Sequence, residues 1–241
     1  MRAEIILTLS RLCYKIRLLS RLSRNDDAMP RKKSYHHGDL KNALIKAGAD
    51  ILSKEGVSAL SLRKVAQKAG VSHAAPYAHF ADKQALIAAI STEGYKRLYE
   101  QIAQAAERHR SDPLRRFVAA SWAYVQFALD GPDQYKVTLS GMIEKEQDYP
   151  AFVETAKQTF SLVVEIVAQC QQAGILRTGA ADLTAVSVWA LIHGFVTLLL
   201  ENQISHTVLD RFAVREMFIF TLNQITQVEL DASALALTDT H

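Results

Sequence analysis

A short stretch in the first half of the chain carries side chains suited to contacting a polyanion. Ser72, His73, Tyr77 and His79 fall within eight residues and supply hydroxyls, ring nitrogens and a phenol. Such groups hydrogen-bond to phosphate oxygens and to base edges. The small pair Ala74-Ala75 would let the backbone approach a DNA groove and touch thymine methyl groups. The stretch therefore indicates nucleic-acid contact.

Two short helices joined by a tight turn would position these residues. Ser61 can cap the first helix, and Gly70 follows its end. Ser72 can cap a second helix from His73 to about Ala78, with Pro76 in its first turn, where the missing N–H costs little. This layout is that of a helix-turn-helix, whose second helix enters the major groove.

The remaining sequence is also helical in pattern. Apolar residues recur at helical spacing up to Gly56, and Asp82 can cap a long helix that continues past Leu98. No segment alternates with a period of two, so we predict an all-α fold. Turn signals that separate the later helices lie at Asp130-Gly131-Pro132, Tyr149-Pro150, 174–179 and 203–206.

Charge is distributed unevenly along the 241 residues. The net charge of +3 resolves into +3 for residues 1–28, +7 for 29–110 and −7 for 111–241. A hydrophobic content of 49% excludes intrinsic disorder. The two cysteines, Cys13 and Cys170, form neither a disulfide framework nor a zinc motif, so we expect a cytoplasmic protein.

The first 28 residues allow three interpretations. They could form a basic amphipathic helix on a membrane surface or a poor signal peptide interrupted by Arg11. We favour an upstream extension, with the natural start at Met29. The basic arm at 31–37 could enter a minor groove or form a disordered tail, and its histidines have no further metal ligands at suitable spacing. No stable membrane insertion is expected, because Gly194 and Thr197 interrupt the longest apolar run outside the leader.

From Ser61 to Leu86 the sequence closely resembles the DNA-binding domain of the TetR family of bacterial transcriptional regulators. Val65-Ala66, Gly70-Val-Ser72, Tyr77, Phe80 and Lys83-x-x-Leu86 stand in register, and the match covers about 38–95. The resemblance implies a homodimer that binds double-stranded, palindromic operator DNA. It implies phosphate contacts at Ser61, Arg63, Ser72, Tyr77, His79 and Lys83, and base-facing positions at His73, Ala74 and Ala75.

Several of these positions have structural alternatives. Tyr77 could be a core aromatic residue and His79 a solvated surface residue. Lys41, Lys64 and Lys68 suit a diffuse positive face better than individual contacts. Ala78 stands where the family often has a larger polar residue, so one outer phosphate contact is expected to be absent.

The acidic half contains Trp189-Ala-Leu-Ile-His193-Gly194, which resembles the WHG type of TetR C-terminal domain over about 113–230. The resemblance implies that the last two long helices, about 181–201 and 208–228, pair with those of a second copy. For Trp189 and His193, a packed tryptophan and a hydrogen-bonded core histidine compete with ligand contact. Candidates for the dimer interface are Leu191, Phe195, Leu198, Phe212, Met217 and Phe220, together with Val186, Leu199 and Leu222.

A TetR-like bundle would enclose a pocket for a small apolar or amphipathic ligand, although a well-packed core would use the same residue types. Candidate pocket residues are Trp122, Phe127, Tyr135, Leu139, Met142, Phe152, Phe160, Trp189 and His193, with Ile143 and Val164 beside them.

We therefore predict a ligand-modulated, dimeric transcriptional regulator, with repression favoured over activation or ligand-independent regulation. An enzyme or a membrane-associated adaptor is disfavoured, because the sequence lacks a nucleophile elbow, a Gly-rich phosphate loop and an H-E-x-x-H motif. No cofactor is expected. The predicted divisions are an extension and arm at 1–37, a DNA-binding domain at 38–98 with its helix-turn-helix at 61–80, a ligand-binding and dimerisation domain at 111–230, and a tail at 231–241.

Overall fold

Helices make up all the regular structure in the part of the chain that the computed structural model describes, residues 37–139 and 141–231. An isolated bridge between Leu176 and Thr226 is the one β feature in these ranges, which confirms the all-α prediction. The predicted leader, the arm up to residue 36 and the tail after residue 231 lie outside the described residues. The helices are α1 (His37–Glu55), α2 (Leu62–Ala69), α3 (Lys83–Glu107), α4 (Pro113–Asp130), α5 (Pro132–Thr138), α6 (Pro150–Gln172), α7 (Ala181–Leu200), α8 (His206–Leu209) and α9 (Val214–Asn223), with short 3₁₀ turns at Val57–Ala59, Ala75–Ala78 and Glu146–Asp148.

Side-chain caps start the helices where the sequence predicts them. Ser61 Oγ accepts a hydrogen bond from the backbone N–H of Lys64 at 3.1 Å and so begins α2. Asp82 Oδ1 accepts from the N–H of Ala85 at 2.8 Å and begins α3. Each cap satisfies one backbone donor at a helix start that has no partner within the helix.

Two apolar clusters share the long helix α3. The smaller cluster joins α1, α2 and the first half of α3 through fully buried Leu44, Val65 and Leu86. The larger one begins at Leu98 on the same helix and extends through α4, α6, α7 and α9. The predicted domain boundary at residue 98 therefore falls inside a continuous helix rather than in a linker.

The last helix is shorter than predicted. The sequence predicts one helix over about 208–228, but the chain forms the single turn α8, a break at 210–213, and then α9. Ser205 caps α8, and the Glu216 carboxylate accepts from the N–H of Ala213 at 2.7 Å to start α9 afresh. After α9, Gln227 N–H donates to Ile175 O at 2.8 Å, which turns the chain back toward the end of α6.

By length and composition, α7 is the one helix of the described residues that could cross a membrane, because it has 20 residues and contains an 18-residue window with a mean hydropathy of 2.0. Gly194 and Thr197 interrupt the apolar run but leave its average hydropathy high, because neither residue is charged. The expectation of no stable membrane insertion stays a prediction. In the fold, Ala185, Val188 and Val196 bury one face of α7. Only 28% of the apolar window is buried, so much of this helix remains uncovered in a single chain.

Candidate nucleic-acid interface and C-terminal cavity

Helix α2 presents one unpaired cation beside two that are paired. Arg63 is exposed and has no ion-pair partner in the described ranges. Lys64 forms an ion pair with Glu55, and Lys68 Nζ lies 3.8 Å from Asp50 Oδ2. The two lysines thus connect α2 to α1, whereas the guanidinium of Arg63 remains available for a phosphate.

The turn after α2 is built on a left-handed glycine. Gly70 has φ 71° and ψ 30°, a left-handed conformation that is unfavourable for residues with a Cβ atom. Its N–H donates to Gln67 O at 3.2 Å, and the N–H of Val71 donates to Ala66 O at 3.0 Å. These bonds close the end of α2 and direct the chain into residues 72–80, which we call the reading segment because they contain the predicted base-facing positions.

The reading segment is less helical than predicted. The prediction of an α-helix that starts at His73 and is capped by Ser72 was wrong. The regular part is the 3₁₀ turn Ala75–Ala78, and no side chain caps its start at Ala74. The N–H of Ala75 instead donates to the Ser72 carbonyl at 3.0 Å. Because Pro76 has no N–H, the segment is held by short-range bonds, such as Tyr77 N–H to Ala74 O at 3.2 Å.

The side chains predicted to touch DNA lie mostly on the outside of this segment. Ser72, His73 and Ala74 are exposed, and Tyr77 is 62% exposed, which excludes the core alternative for its ring within a single chain. Phe80 is 3% exposed and anchors the segment in the smaller cluster.

Besides Ser61, whose hydroxyl caps α2, three predicted contact residues are partly engaged within the protein. The half-buried ring of His79 lies 6.3 Å from that of Phe80, and its buried Nε2 has no hydrogen-bond partner in the described part of the chain. Lys83 Nζ donates to the carbonyl of Val57, so this side chain joins the start of α3 to the turn before α2. Ala75 is half-buried. Their DNA contacts remain predictions.

A cavity of about 280 Å³ lies in the C-terminal half between α3, α4, α6 and α7. Of the predicted pocket residues, Leu139, Phe160 and Trp189 line it. A smaller space of about 40 Å³ shares Ile102, Tyr124, Val163 and Trp189 with it. The full lining is Tyr95, Leu98, Ile102, Tyr124, Leu139, Ala156, Lys157, Thr159, Phe160, Val163 and Trp189.

Four other pocket candidates lie elsewhere. Trp122 packs on Phe218 of α9 at 5.2 Å between ring centroids, and Phe127 is buried in the larger cluster. Phe152 and Met142 pack with the smaller cluster, which also contains residues of α1, α2 and α3. Their aromatic and apolar character reflects core packing, which the sequence pattern could not separate from a cavity wall.

Beside the cavity, two phenols converge on one histidine. Tyr124 Oη and Tyr135 Oη lie 2.8 Å and 2.7 Å from Nδ1 of His193. Trp189 Nε1 donates to Tyr124 Oη at 3.4 Å. Burial raises the pKa of both phenols and lowers the pKa of His193, so the neutral forms of all three are favoured. Tyr135 and His193 therefore contact a cavity-wall residue without lining the cavity themselves.

Sequence reasoning missed several wall residues. Tyr95, Leu98 and Ile102 follow one face of α3 at helical spacing, and Tyr124 lies on α4 two residues after Trp122. Spacing alone could have assigned the first three to a buried face. It could not show that Lys157 and Ala156 of α6 stand opposite them, because that depends on how distant helices pack.

The predicted dimer face is partly exposed in the single chain. Leu198, Phe212 and Phe220 are 46%, 44% and 68% exposed. Leu191, Phe195 and Met217 are half-buried, and Phe195 lies 6.2 Å from Phe218 between ring centroids. A side chain placed at Gly194 would meet no atom within 4 Å. Of the additional candidates, Val186 is 48% exposed and Leu199 is half-buried, whereas Leu222 is fully buried and was wrongly assigned to the surface.

Two family models match this chain, one over the N-terminal part and one over the C-terminal part. Residues 44–90 match the family model described as "Bacterial regulatory proteins, tetR family". Residues 117–222 match the model described as "Tetracyclin repressor-like, C-terminal domain". The first range contains the exposed reading segment, and the second contains most of the cavity wall.

Individual relatives support the same assignment. The chain is 26% identical over 161 residues to YobS, an uncharacterized HTH-type transcriptional regulator of Bacillus subtilis, covering 65% of this chain and 76% of that protein. A solved structure of a protein of unknown function from Rhodococcus sp. RHA1 is 32% identical, covers 81% of this chain and 100% of its own, and has a TM-score of 0.65. A tetR-family regulatory protein from Rhodococcus RHA1, 18% identical, shares the fold over 77% of this chain and 96% of its own with a TM-score of 0.61. TetR regulators bind DNA, dimerise and act as transcription factors rather than enzymes. This chain belongs to the TetR family and is a DNA-binding transcriptional regulator.

Proposed function

We propose that the protein is a cytoplasmic, homodimeric repressor whose affinity for a palindromic operator changes when a small ligand occupies the C-terminal cavity. The exposure of the reading segment carries this proposal. Tyr77 and the side chains at 72–74 project from a segment that Phe80 and Gly70 hold in place. A rigid support with exposed polar groups is what direct contact with a DNA groove requires.

A second copy of the chain would cover the exposed faces of α7 and α9. Val186, Leu198 and Phe220 are large apolar side chains left at least 46% exposed. Large apolar side chains left exposed on two helices suit an interaction site, and a two-fold interface uses the same surface on both partners. The open space at Gly194 suits the close approach of a partner helix.

Helix α5 links the cavity to the DNA-binding half. Its Tyr135 contacts His193 beside the cavity, while its Val137 packs in the smaller cluster with α1 and α2. Ser91 of α3 donates to the Val137 carbonyl at 3.4 Å. A ligand that shifts α5 would therefore act on α3, the helix that follows the reading segment. Allosteric coupling of this type is typically worth about 1–3 kcal/mol.

The proposal is tested by selecting bound fragments from a library of the source genome with the full-length protein. We expect enrichment of a short palindrome, with binding that weakens steeply as salt rises. Tyr77→Ala should abolish binding to that palindrome while sedimentation equilibrium still shows a dimer, and Tyr77→Phe should retain part of the affinity. Weak binding without sequence preference would refute the operator, and loss of the dimer in Tyr77→Ala would assign Tyr77 a structural role instead.

Repression is tested with a reporter gene placed under the enriched promoter. Expression of the regulator should lower reporter output, and Tyr77→Ala should restore it. An increase in output that depends on Tyr77 would identify an activator.

A further inference from the structure

The cavity between α3, α4, α6 and α7 has one charged residue in an otherwise uncharged wall. We propose that it takes an amphipathic anion: an apolar body of about two rings with a single negatively charged group paired with Lys157. This inference rests on the proposed ligand-responsive function and adds the chemical class of the ligand.

The volume sets the size of the apolar body. A dry protein cavity of about 150 Å³ is large enough to bind benzene. The cavity of about 280 Å³ is roughly twice that size, so it suits two fused rings or a chain of similar volume. Flexible sugars and nucleotides are unsuited to such a space, because the wall offers few polar partners for their hydroxyls and phosphates.

Apolar groups dominate the wall. Leu98, Ile102 and Val163 supply aliphatic surface, and Phe160 and Trp189 supply rings whose centroids lie 6.4 Å apart. The polar groups include the hydroxyls of Tyr95 and Tyr124. Burial, with the nearby Glu146 carboxylate adding to it, raises the pKa of Tyr95 to about 12, so its phenol stays neutral near pH 7. The wall thus favours an apolar body.

Lys157 is the lining residue that can select for charge. It is exposed on α6 and forms no ion pair within the described ranges. Lys96 and Lys136, by contrast, are paired with Glu93 and Glu201, each at 2.7 Å. An ammonium group without a counter-ion, at the end of a flexible apolar stem, can pair with an anion while its methylenes contact the ligand body.

Isothermal titration calorimetry with two probes of the same shape tests the charge. The probes are 2-naphthoate, which is anionic, and 2-naphthamide, which is neutral. An exposed ion pair contributes up to about 1 kcal/mol, which corresponds to about fivefold in affinity. Wild-type protein should therefore bind 2-naphthoate more tightly than 2-naphthamide, by up to about fivefold.

Four variants of the full chain locate the effect. Lys157→Met should remove the preference for 2-naphthoate without weakening 2-naphthamide, and Lys157→Arg should keep the preference. Lys145→Met, an exposed lysine of the same half that does not line the cavity, should change neither affinity. Ala156→Phe should weaken both probes, because the new ring would occupy the cavity.

Equal affinity for the two probes, an unchanged preference in Lys157→Met, or no binding of 2-naphthoate at millimolar concentration would overturn the inference. Operator binding, measured with and without 2-naphthoate, separates this result from the proposed function. Lys157-dependent binding of 2-naphthoate that leaves operator affinity unchanged would support the cavity's anion selectivity and refute ligand-responsive regulation. An operator affinity that responds equally to both probes would support regulation and overturn the selectivity.

Discussion

Replacing Gly94 by alanine is expected to destabilise the protein at the contact between α3 and α5. A Cβ atom at this position would lie 1.8 Å from Thr138 Oγ1, 2.8 Å from Thr138 Cβ and 2.9 Å from Thr138 Cγ2. Thr138 is only 3% exposed, and its hydroxyl donates to the Gln134 carbonyl at 2.7 Å. The side chain therefore has little freedom to move, and α5 itself would have to shift.

Two opposing terms set the magnitude. Alanine gains about 1 kcal/mol over glycine inside a helix, while overpacking a filled core costs about 1–3 kcal/mol and occasionally more. Because the overlap involves three atoms of one buried side chain, we expect the cost to fall at the upper end. The free energy of unfolding should drop by about 2 kcal/mol in Gly94→Ala.

Urea denaturation followed by circular dichroism measures this change, and a double-mutant cycle assigns it. Thr138→Ala removes two of the three clashing atoms, so Gly94→Ala combined with Thr138→Ala should recover at least about 1 kcal/mol relative to additivity. Gly48→Ala is the matched control, since its Cβ would meet the flexible end of Ile90, Cδ1, at 2.8 Å. A Gly94→Ala protein as stable as wild type, or a cycle without coupling, would show that Thr138 does not exclude a side chain at position 94.

Three further substitutions test the DNA-binding surface, the half-buried His193 and the dimer face. Arg63→Gln should lower the slope of log affinity for operator DNA against log salt by about 0.9 per subunit, or about 1.8 per dimer. The control Lys64→Gln, which removes an ion-paired lysine, should change this slope by less than half as much. An unchanged slope in Arg63→Gln would place Arg63 away from phosphate. Burial lowers the pKa of His193 below its ordinary value of 6.5, so the unfolded chain binds more protons and the free energy of unfolding should fall as the pH drops from about 6.5 toward the folded pKa. His193→Asn should reduce this loss in urea titrations between pH 7 and 5, while the exposed control His206→Asn should not, and identical pH profiles for His193→Asn and wild type would contradict the assignment. Gly194→Leu should leave helicity intact, because a Cβ atom there meets no atom within 4 Å, yet weaken the dimer at least about tenfold by sedimentation equilibrium. The control is Gly179→Leu, at a position that is equally open but outside α7. An unchanged dimer in Gly194→Leu would place Gly194 outside the interface.

Local chemistry allowed the sequence to predict helix ends and the helix-turn-helix. Ser61 and Asp82 act as caps, and Gly70 adopts the left-handed conformation expected after a helix. These features depend on a few neighbouring residues. The reading segment itself was predicted less well, because Pro76 and the bonds around it favour a 3₁₀ turn over the expected α-helix.

Features that depend on distant contacts were only partly predictable. Trp122 and Phe160 are both large and apolar, yet one packs against α9 and the other lines the cavity. Lys157 is unremarkable in sequence and becomes informative only when α6 is placed opposite α3. Similarly, Asn223 fixes the chain after α9 through a hydrogen bond from the Leu230 N–H at 2.8 Å, a contact that helical periodicity does not predict.

Hydroxyl-radical footprinting on the genome-selected palindrome tests most directly the claim that two copies of the 61–83 surface read DNA together. We expect two protected patches related by the two-fold axis of the palindrome, with centres about one helical turn, or roughly 10 base pairs, apart. Both patches should disappear together in Tyr77→Ala. A single protected patch, or protection that is the same on unrelated DNA, would show that the two surfaces do not read a palindrome together.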